Sequence, residues 1–175
     1  MAKFVALLRG INVGGKNKIL MADLRQLLES AKLKNAQTYI QSGNIVFEST
    51  AKEATLAKKI TKLIKSEYDF DVPTLVISKQ KLKKIFAANP LTKHPIEQLC
   101  ASVLGEKPET SLVKSLLELD FGDDEVQIKN DVVFLRCPNG FSRTKLTNNF
   151  LERKLKTTAT TRNWKTMTKL LELCE

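Results

Sequence analysis

Residues 38–48, TYIQSGNIVFE, decide how the chain is read. Two β-prone runs, 38–41 and 45–48, flank Ser42-Gly43-Asn44, a composition suited to a tight hairpin turn. Before them, Met21, Leu24, Leu27, Leu28 and Ala31 recur at helical spacing, and residues 4–9 form a short apolar run of β character. After them, Leu56, Ile60, Leu63 and Ile64 mark a second helix, with Thr50 and Glu53 spaced as a capping box. Residues 73–78 (PTLVIS) read as a strand, and Ser78 is placed to cap a helix over Lys79–Ala88. The order is strand, helix, strand, strand, helix, strand and a trailing helix.

That order returns after NPLTKHP, residues 89–95, which reads as a linker. Leu99–Leu104 reads as a strand, and Pro108 stands at a helix start ahead of Leu112, Val113, Leu116 and Leu117. Glu125–Lys129 and Val132–Arg136 are strands joined by Asn130-Asp131. Ser142 or Thr144 is the expected cap of a helix carrying Leu146, Phe150 and Leu155. A short strand at 157–160 follows, then a last helix with Trp164, Met167, Leu170 and Leu171, for which Thr161 is the expected cap. The repeat lies in pattern, with an offset of roughly 90–95 residues. The predicted fold is therefore α+β: two tandem ferredoxin-like subdomains, each βαββαβ plus a trailing helix, duplicated over residues 1–90 and 91–175. This topology sorts the loops. It places residues 10–18 beside 41–44 in the first half, and 142–145 beside 160–163 in the second.

Composition narrows the function. The 175 residues are 42% hydrophobic and 27% charged, which supports a buried core and argues against disorder. The longest apolar run, residues 4–8, falls far short of the roughly 20 residues of a membrane helix and is too short for a signal peptide. A cytoplasmic protein without membrane association is expected. Three cysteines, Cys100, Cys137 and Cys174, form no C-x-x-C pair, so neither a disulfide framework nor a zinc site is expected. The net charge of +10 is uneven: residues 1–95 carry 17 Lys and Arg against 7 Asp and Glu, whereas residues 96–131 carry 3 against 9. Such asymmetry marks an anionic partner or solvated helix faces. The lysines at 58, 59, 62 and 65 fall largely off the apolar stripe of their helix, which favours the second reading there.

Gly10-Ile11-Asn12-Val13-Gly14-Gly15-Lys16 has the G-x4-G-K spacing of a phosphate-binding loop after an apolar strand. Glycines there let backbone amides converge on an anion, and the lysine neutralises it. Asn17 stands where that loop needs a Ser or Thr for magnesium, so a nucleotide triphosphatase is disfavoured relative to a looser anion nest or a structural turn. The single histidine, His94, lies in the linker and leaves no Ser-His-Asp, Cys-His or histidine-based metal set to build. The acidic stretch 120–125 (DFGDDE) lacks an EF-hand pattern and reads as a solvated turn. No RNA-recognition aromatic run occupies a central strand, and Tyr39 and Phe47 are expected in the core. Thr160-Thr161-Arg162-Asn163-Trp164 reads as a polar helix start, where Arg162 and free amides suit a phosphate or carboxylate.

On these residues the sequence resembles the bacterial family of domain of unknown function 1697. Its members carry an LLRGINVGG-like opening, a TYIQSGN-like stretch and a T-x-RNW close, here residues 7–15, 38–44 and 160–164. The resemblance implies paired ferredoxin-like halves and brings no activity, cofactor or catalytic residue. It marks Arg9, Gly10, Asn12, Gly14, Gly15, Lys16, Ser42, Gly43, Asn44, Lys145, Arg162, Asn163 and Trp164 as the family's shared positions, with Thr144 where the family more often has Ser. The resulting expectation is a non-catalytic binder of a phosphate-bearing ligand, a nucleotide, metabolite or nucleic acid, needing no cofactor or metal. The Gly-rich loop at residues 10–18 would supply N–H donors and Lys16, with Arg9, Asn44 and Arg162 around it. The alternatives are a metal-free enzyme acting on a small anionic substrate and a protein-interaction adaptor.

Overall fold

The computed structural model describes residues 1–175. The elements run β1 (Ala2–Leu8), α1 (Met21–Ser30), β2 (Lys34–Tyr39), β3 (Asn44–Ser49), α2 (Glu53–Tyr68), β4 (Thr74–Ser78) and α3 (Lys79–Ala88). They continue with β5 (Leu99–Leu104), α4 (Thr110–Leu117), β6 (Glu125–Lys129), β7 (Val132–Arg136), α5 (Asn148–Leu155), β8 (Ala159–Asn163) and α6 (Trp164–Leu173). The protein is α+β, with two antiparallel four-stranded sheets of order β2-β3-β1-β4 and β6-β7-β5-β8. It divides into two compact units, Met1–Lys83 with Leu170–Glu175, and Lys84–Lys169. The division runs through α3 and α6, not through the linker at residues 89–95.

In the first unit β1 is central, pairing with β3 from Ala2↔Ser49 to Leu7↔Asn44 and with β4 from Phe4↔Ser78 to Leu8↔Thr74. Alternate side chains of β1, Phe4, Ala6 and Leu8, pack against Leu24 and Leu28 of α1 and Leu56, Ile60 and Ile64 of α2. Burial of these apolar side chains is the main force holding the unit, about 25 cal/mol per Å² removed from water. The lysines at 58, 59, 62 and 65 lie on the opposite face of α2, as an amphipathic helix requires. Phe47 is fully buried and stacks on Phe4 at 6.0 Å, so it is core. In the second unit β5 is central between β7 and β8. Cys100, Leu104, Val133 and Leu135 face Leu116, Leu151 and Leu155 of the helices. Trp164 is buried beside Phe86, with ring centroids 4.5 Å apart.

Several local expectations are corrected. β2 starts at Lys34 and ends at Tyr39, ahead of the run at 38–41. Thr50 and Glu53 form no capping box; α2 has no side-chain cap, and Glu53 instead accepts a 2.6 Å hydrogen bond from the Ser78 amide at the end of β4. Ser78 does cap α3, accepting from the Lys81 amide at 3.3 Å. α5 is capped by Thr147, whose hydroxyl accepts from the Phe150 amide, and not by Ser142 or Thr144. Thr161 caps nothing. It lies within β8 opposite Ser102, and the cap of α6 is Asn163, whose Oδ1 accepts from the Thr166 amide at 2.8 Å. The backbone pairing available along β5 extends β8 past the residues whose own propensity suggested a helix start.

Thr147→Ala is expected to cost about 1 kcal/mol in urea unfolding, the usual cost of removing an N-cap hydroxyl. Ser142→Ala, at an exposed position that caps no helix, is expected to stay within about 0.5 kcal/mol of the parent.

Candidate functional site

The Gly-rich loop between β1 and α1 is a miniature hairpin. The Asn12 amide donates to Asn17 O at 3.1 Å and the Lys16 amide to Val13 O at 3.0 Å. Gly14 and Gly15, at φ 58° and 73°, take its two central positions. Two consecutive positive φ values define a type I′ turn, which glycine adopts without strain. This is not a nucleotide-triphosphate loop. There the glycines lead directly into a helix that presents the lysine, whereas here α1 begins only at Met21 and has no side-chain cap.

Two asparagines hold the hairpin. Asn12 Nδ2 donates to Ile19 O at 3.0 Å and to Gln41 O at 2.8 Å, while its Oδ1 accepts from the Ile19 amide at 2.9 Å. Asn17 Nδ2 donates to Gly10 O at 3.0 Å. The Leu8 amide donates to Gly43 O at 2.8 Å. Gly43 sits so close to β1 that a Cβ there would lie 2.6 Å from Leu8 Cβ and 2.8 Å from Ile11 Cδ1. The β1–α1 loop and the β2–β3 turn therefore share one end of the sheet, as the topology predicted. Asn44 is fully buried, and its Nδ2 donates to Tyr39 O and to Ser42 Oγ. Asn12, Ser42, Gly43 and Asn44 thus build the turn, and none of the four is a protruding group.

What protrudes is different. Lys16 and Lys18 are exposed and form no ion pair, and the amides of Gly14 and Gly15 have no acceptor in the chain. Nothing lies within 4 Å of the Cβ position at Gly10, Gly14 or Gly15. Arg9 is half-buried where β1 ends. Three large apolar side chains are also exposed here: Val13 (65%), Leu20 (71%) and Ile40 (48%). Each is the chain neighbour of a residue in the Asn12 network, namely Asn12 itself, Ile19 and Gln41. Ile40 has φ 50°, a costly conformation for a β-branched residue. Sequence reading missed this apolar element, although Gly-Gly between short arms is itself a hairpin signal.

The second unit gathers its predicted residues differently. Arg162 lies in β8 opposite Ala101, not at a helix start, and its Nη1 donates to Thr161 O at 3.0 Å. Burial draws its guanidinium down to about 10, so it stays charged at neutral pH. Asn148, the first residue of α5, accepts at its Oδ1 from Thr161 Oγ1 at 2.7 Å. Thr144 and Lys145 turn to the α4–β6 segment, where Thr144 Oγ1 donates to Asp124 Oδ2 at 2.5 Å. His94 is largely buried, 3.5 Å from Glu125 Oε1 but without a hydrogen bond from Nε2. The Arg136 guanidinium, 2.7 Å from Glu125, holds that carboxyl below the usual range.

The cysteines are free and buried. Burial pushes the Cys100 thiol up to about 12, with Cys137 adding to it. Cys137 is pushed up to about 11 by burial first and by the Asp124 carboxylate second. Neither is a thiolate nucleophile near neutral pH. No group of His, Cys, Asp and Glu is arranged to hold a metal ion, and no helix is long and apolar enough to cross a membrane.

The family described as protein of unknown function (DUF1697) matches residues 1–134. The chain belongs to that family. The match takes in the glycine hairpin and the β2–β3 turn, while residues 160–164 lie beyond it. Among solved structures, this DUF1697 chain is similar to a conserved bacterial protein from Streptococcus pneumoniae, at 25% identity and TM-score 0.79 over 99% of both chains. No curated protein matches it.

Two outcomes are expected. Gly43→Ala should cost about 2–4 kcal/mol in urea unfolding, combining overpacking with the left-handed backbone, whereas Gly14→Ala should cost about 1–2 kcal/mol from the backbone alone. Cys100 and Cys137 should resist iodoacetamide at pH 8 in the folded protein and react once it is unfolded. Because their folded values lie above the unfolded value of about 8.5, the unfolded chain ionises first. Stability should be full below that pH and fall as pH rises towards 11.

Proposed function

We propose that this DUF1697 protein is a non-catalytic binder of phosphate-bearing ligands, and that the glycine hairpin at residues 12–17 is its binding surface. The observation that carries the reading is the pair of acceptor-free amides at Gly14 and Gly15, set beside the unpaired Lys16 and Lys18. Adjacent backbone amides with a nearby ammonium suit a phosphate oxygen. The hairpin tip is open, whereas small-molecule sites are concave. That favours an extended phosphate-bearing chain, a single-stranded nucleic acid, over a free nucleotide. Val13, Leu20 and Ile40 supply apolar surface for base faces beside the phosphate groups. We further infer that each unit is a ferredoxin-like βαββαβ fold with a trailing helix and that the chain is a duplication. The shared strand order, β2-β3-β1-β4 and β6-β7-β5-β8, supports this.

Fluorescence anisotropy of a labelled single-stranded RNA, titrated from low to physiological salt, tests the binding. Saturable binding that survives physiological salt is expected. In the Lys16→Ala/Lys18→Ala variant the log–log salt slope should fall by roughly 0.7 for each phosphate that is no longer neutralised. Gly14→Val should weaken binding while the circular dichroism spectrum is unchanged. Absence of binding at physiological salt, or an unaltered slope in the double variant, would overturn the proposal.

A further inference from the structure

The acidic turn at residues 120–125 and the basic loop at residues 142–145 meet in the second unit around a cleft of about 320 Å³. Phe121, Asp123 and Asn139 line it together with Arg143 and Lys145. No ion pair joins its carboxylates to its cations: Arg143 and Lys145 are both exposed beside Asp123 and Asp124 without closing onto them.

The acidic groups differ in what they have left to offer. Asp120 Oδ1 accepts from the Gly122 amide at 2.8 Å, and Asp124 Oδ2 accepts from Thr144. Asp123 is exposed, and only its Oδ2 is engaged, by Asn139 Nδ2 at 3.4 Å. Its Oδ1 therefore remains an acceptor for a cation. A simple anion entering the cleft would meet Asp123, and a simple cation would meet Arg143 and Lys145. A molecule carrying both charges satisfies both walls. Phe121, half-buried and edge-on to Phe150, adds an apolar surface. The volume is at the lower end for ligand sites and suits an amino acid.

We infer that this cleft binds a free amino acid, its carboxylate on Arg143 and Lys145 and its ammonium on Asp123. The site is separate from the glycine hairpin and does not depend on the phosphate reading.

A titration of the ¹⁵N-labelled full chain with L-leucine, followed at the Gly122 and Gly140 amides, tests it. Saturable shifts at both glycines are expected. N-acetyl-L-leucine, lacking the ammonium, and L-leucine methyl ester, lacking the carboxylate, should each bind at least about tenfold more weakly, the cost of removing one charge-assisted hydrogen bond. Asp123→Asn should erase the preference for leucine over the acetylated form, and Lys145→Ala should narrow the preference over the ester. No saturable shift with leucine, or equal binding of either blocked derivative, would overturn the inference.

Discussion

The side chain of Asn12 is the constraint on which the first unit's functional end depends. One carboxamide reaches Ile19 O, Gln41 O and the Ile19 amide, so it joins the glycine hairpin, the approach to α1 and the β2–β3 turn. These are segments distant in sequence that β1 alone would not hold in register. Gly43 completes the arrangement by letting the turn lie against Leu8 and Ile11 at a separation no side chain allows. With the base fixed in this way, the tip of the hairpin is left to expose backbone amides, two lysines and apolar side chains without unravelling. The strain at Ile40 fits the same picture: a β-branched residue is kept at positive φ because the network on its Gln41 side determines the turn.

Much of the architecture was legible because hydrophobic periodicity is a local signal read directly by the core. β5, β6 and β7 fall on the short runs that read as strands, and α1 and α3 on the segments that read as helices. Capping was less legible. Hydroxyl residues are common near helix starts, and only the three-dimensional path selects one. Thr147 lies one turn ahead of Phe150 on the true helix, whereas Ser142 lies within a short 3-10 turn and Thr144 bonds to Asp124. Thr161 departs from its expected capping role for a different reason. Its membership of β8 follows from a ladder with β5 that runs from Leu104↔Ala159 to Cys100↔Asn163, a long-range pairing absent from the local sequence.

The candidate site was legible in its residues more than in their roles. The positions marked as polar and shared include Asn12, Ser42 and Asn44, whose side chains are used to build the turn. The spacing G-x4-G-K is common to two backbones, a strand–loop–helix that wraps phosphate and a closed hairpin that displays its tip. Adjacent glycines with Asn at either end select the second. Exposed Val13, Leu20 and Ile40 have no signature in the sequence, because single apolar residues in loops carry no periodicity. Likewise, the acidic turn and the basic loop of the second unit each read as solvated segments. Their meeting around Phe121 arises from β6 and β7 pairing side by side, which brings the chain entering one strand to the chain leaving the other.

Amide hydrogen–deuterium exchange read by mass spectrometry, with and without single-stranded RNA, addresses the central claim most directly. Peptides spanning residues 9–18 should become protected on RNA addition, while those covering Asn44–Ser49, already hydrogen-bonded in the sheet, should not change. Protection confined to other segments, with residues 9–18 exchanging as before, would contradict the account.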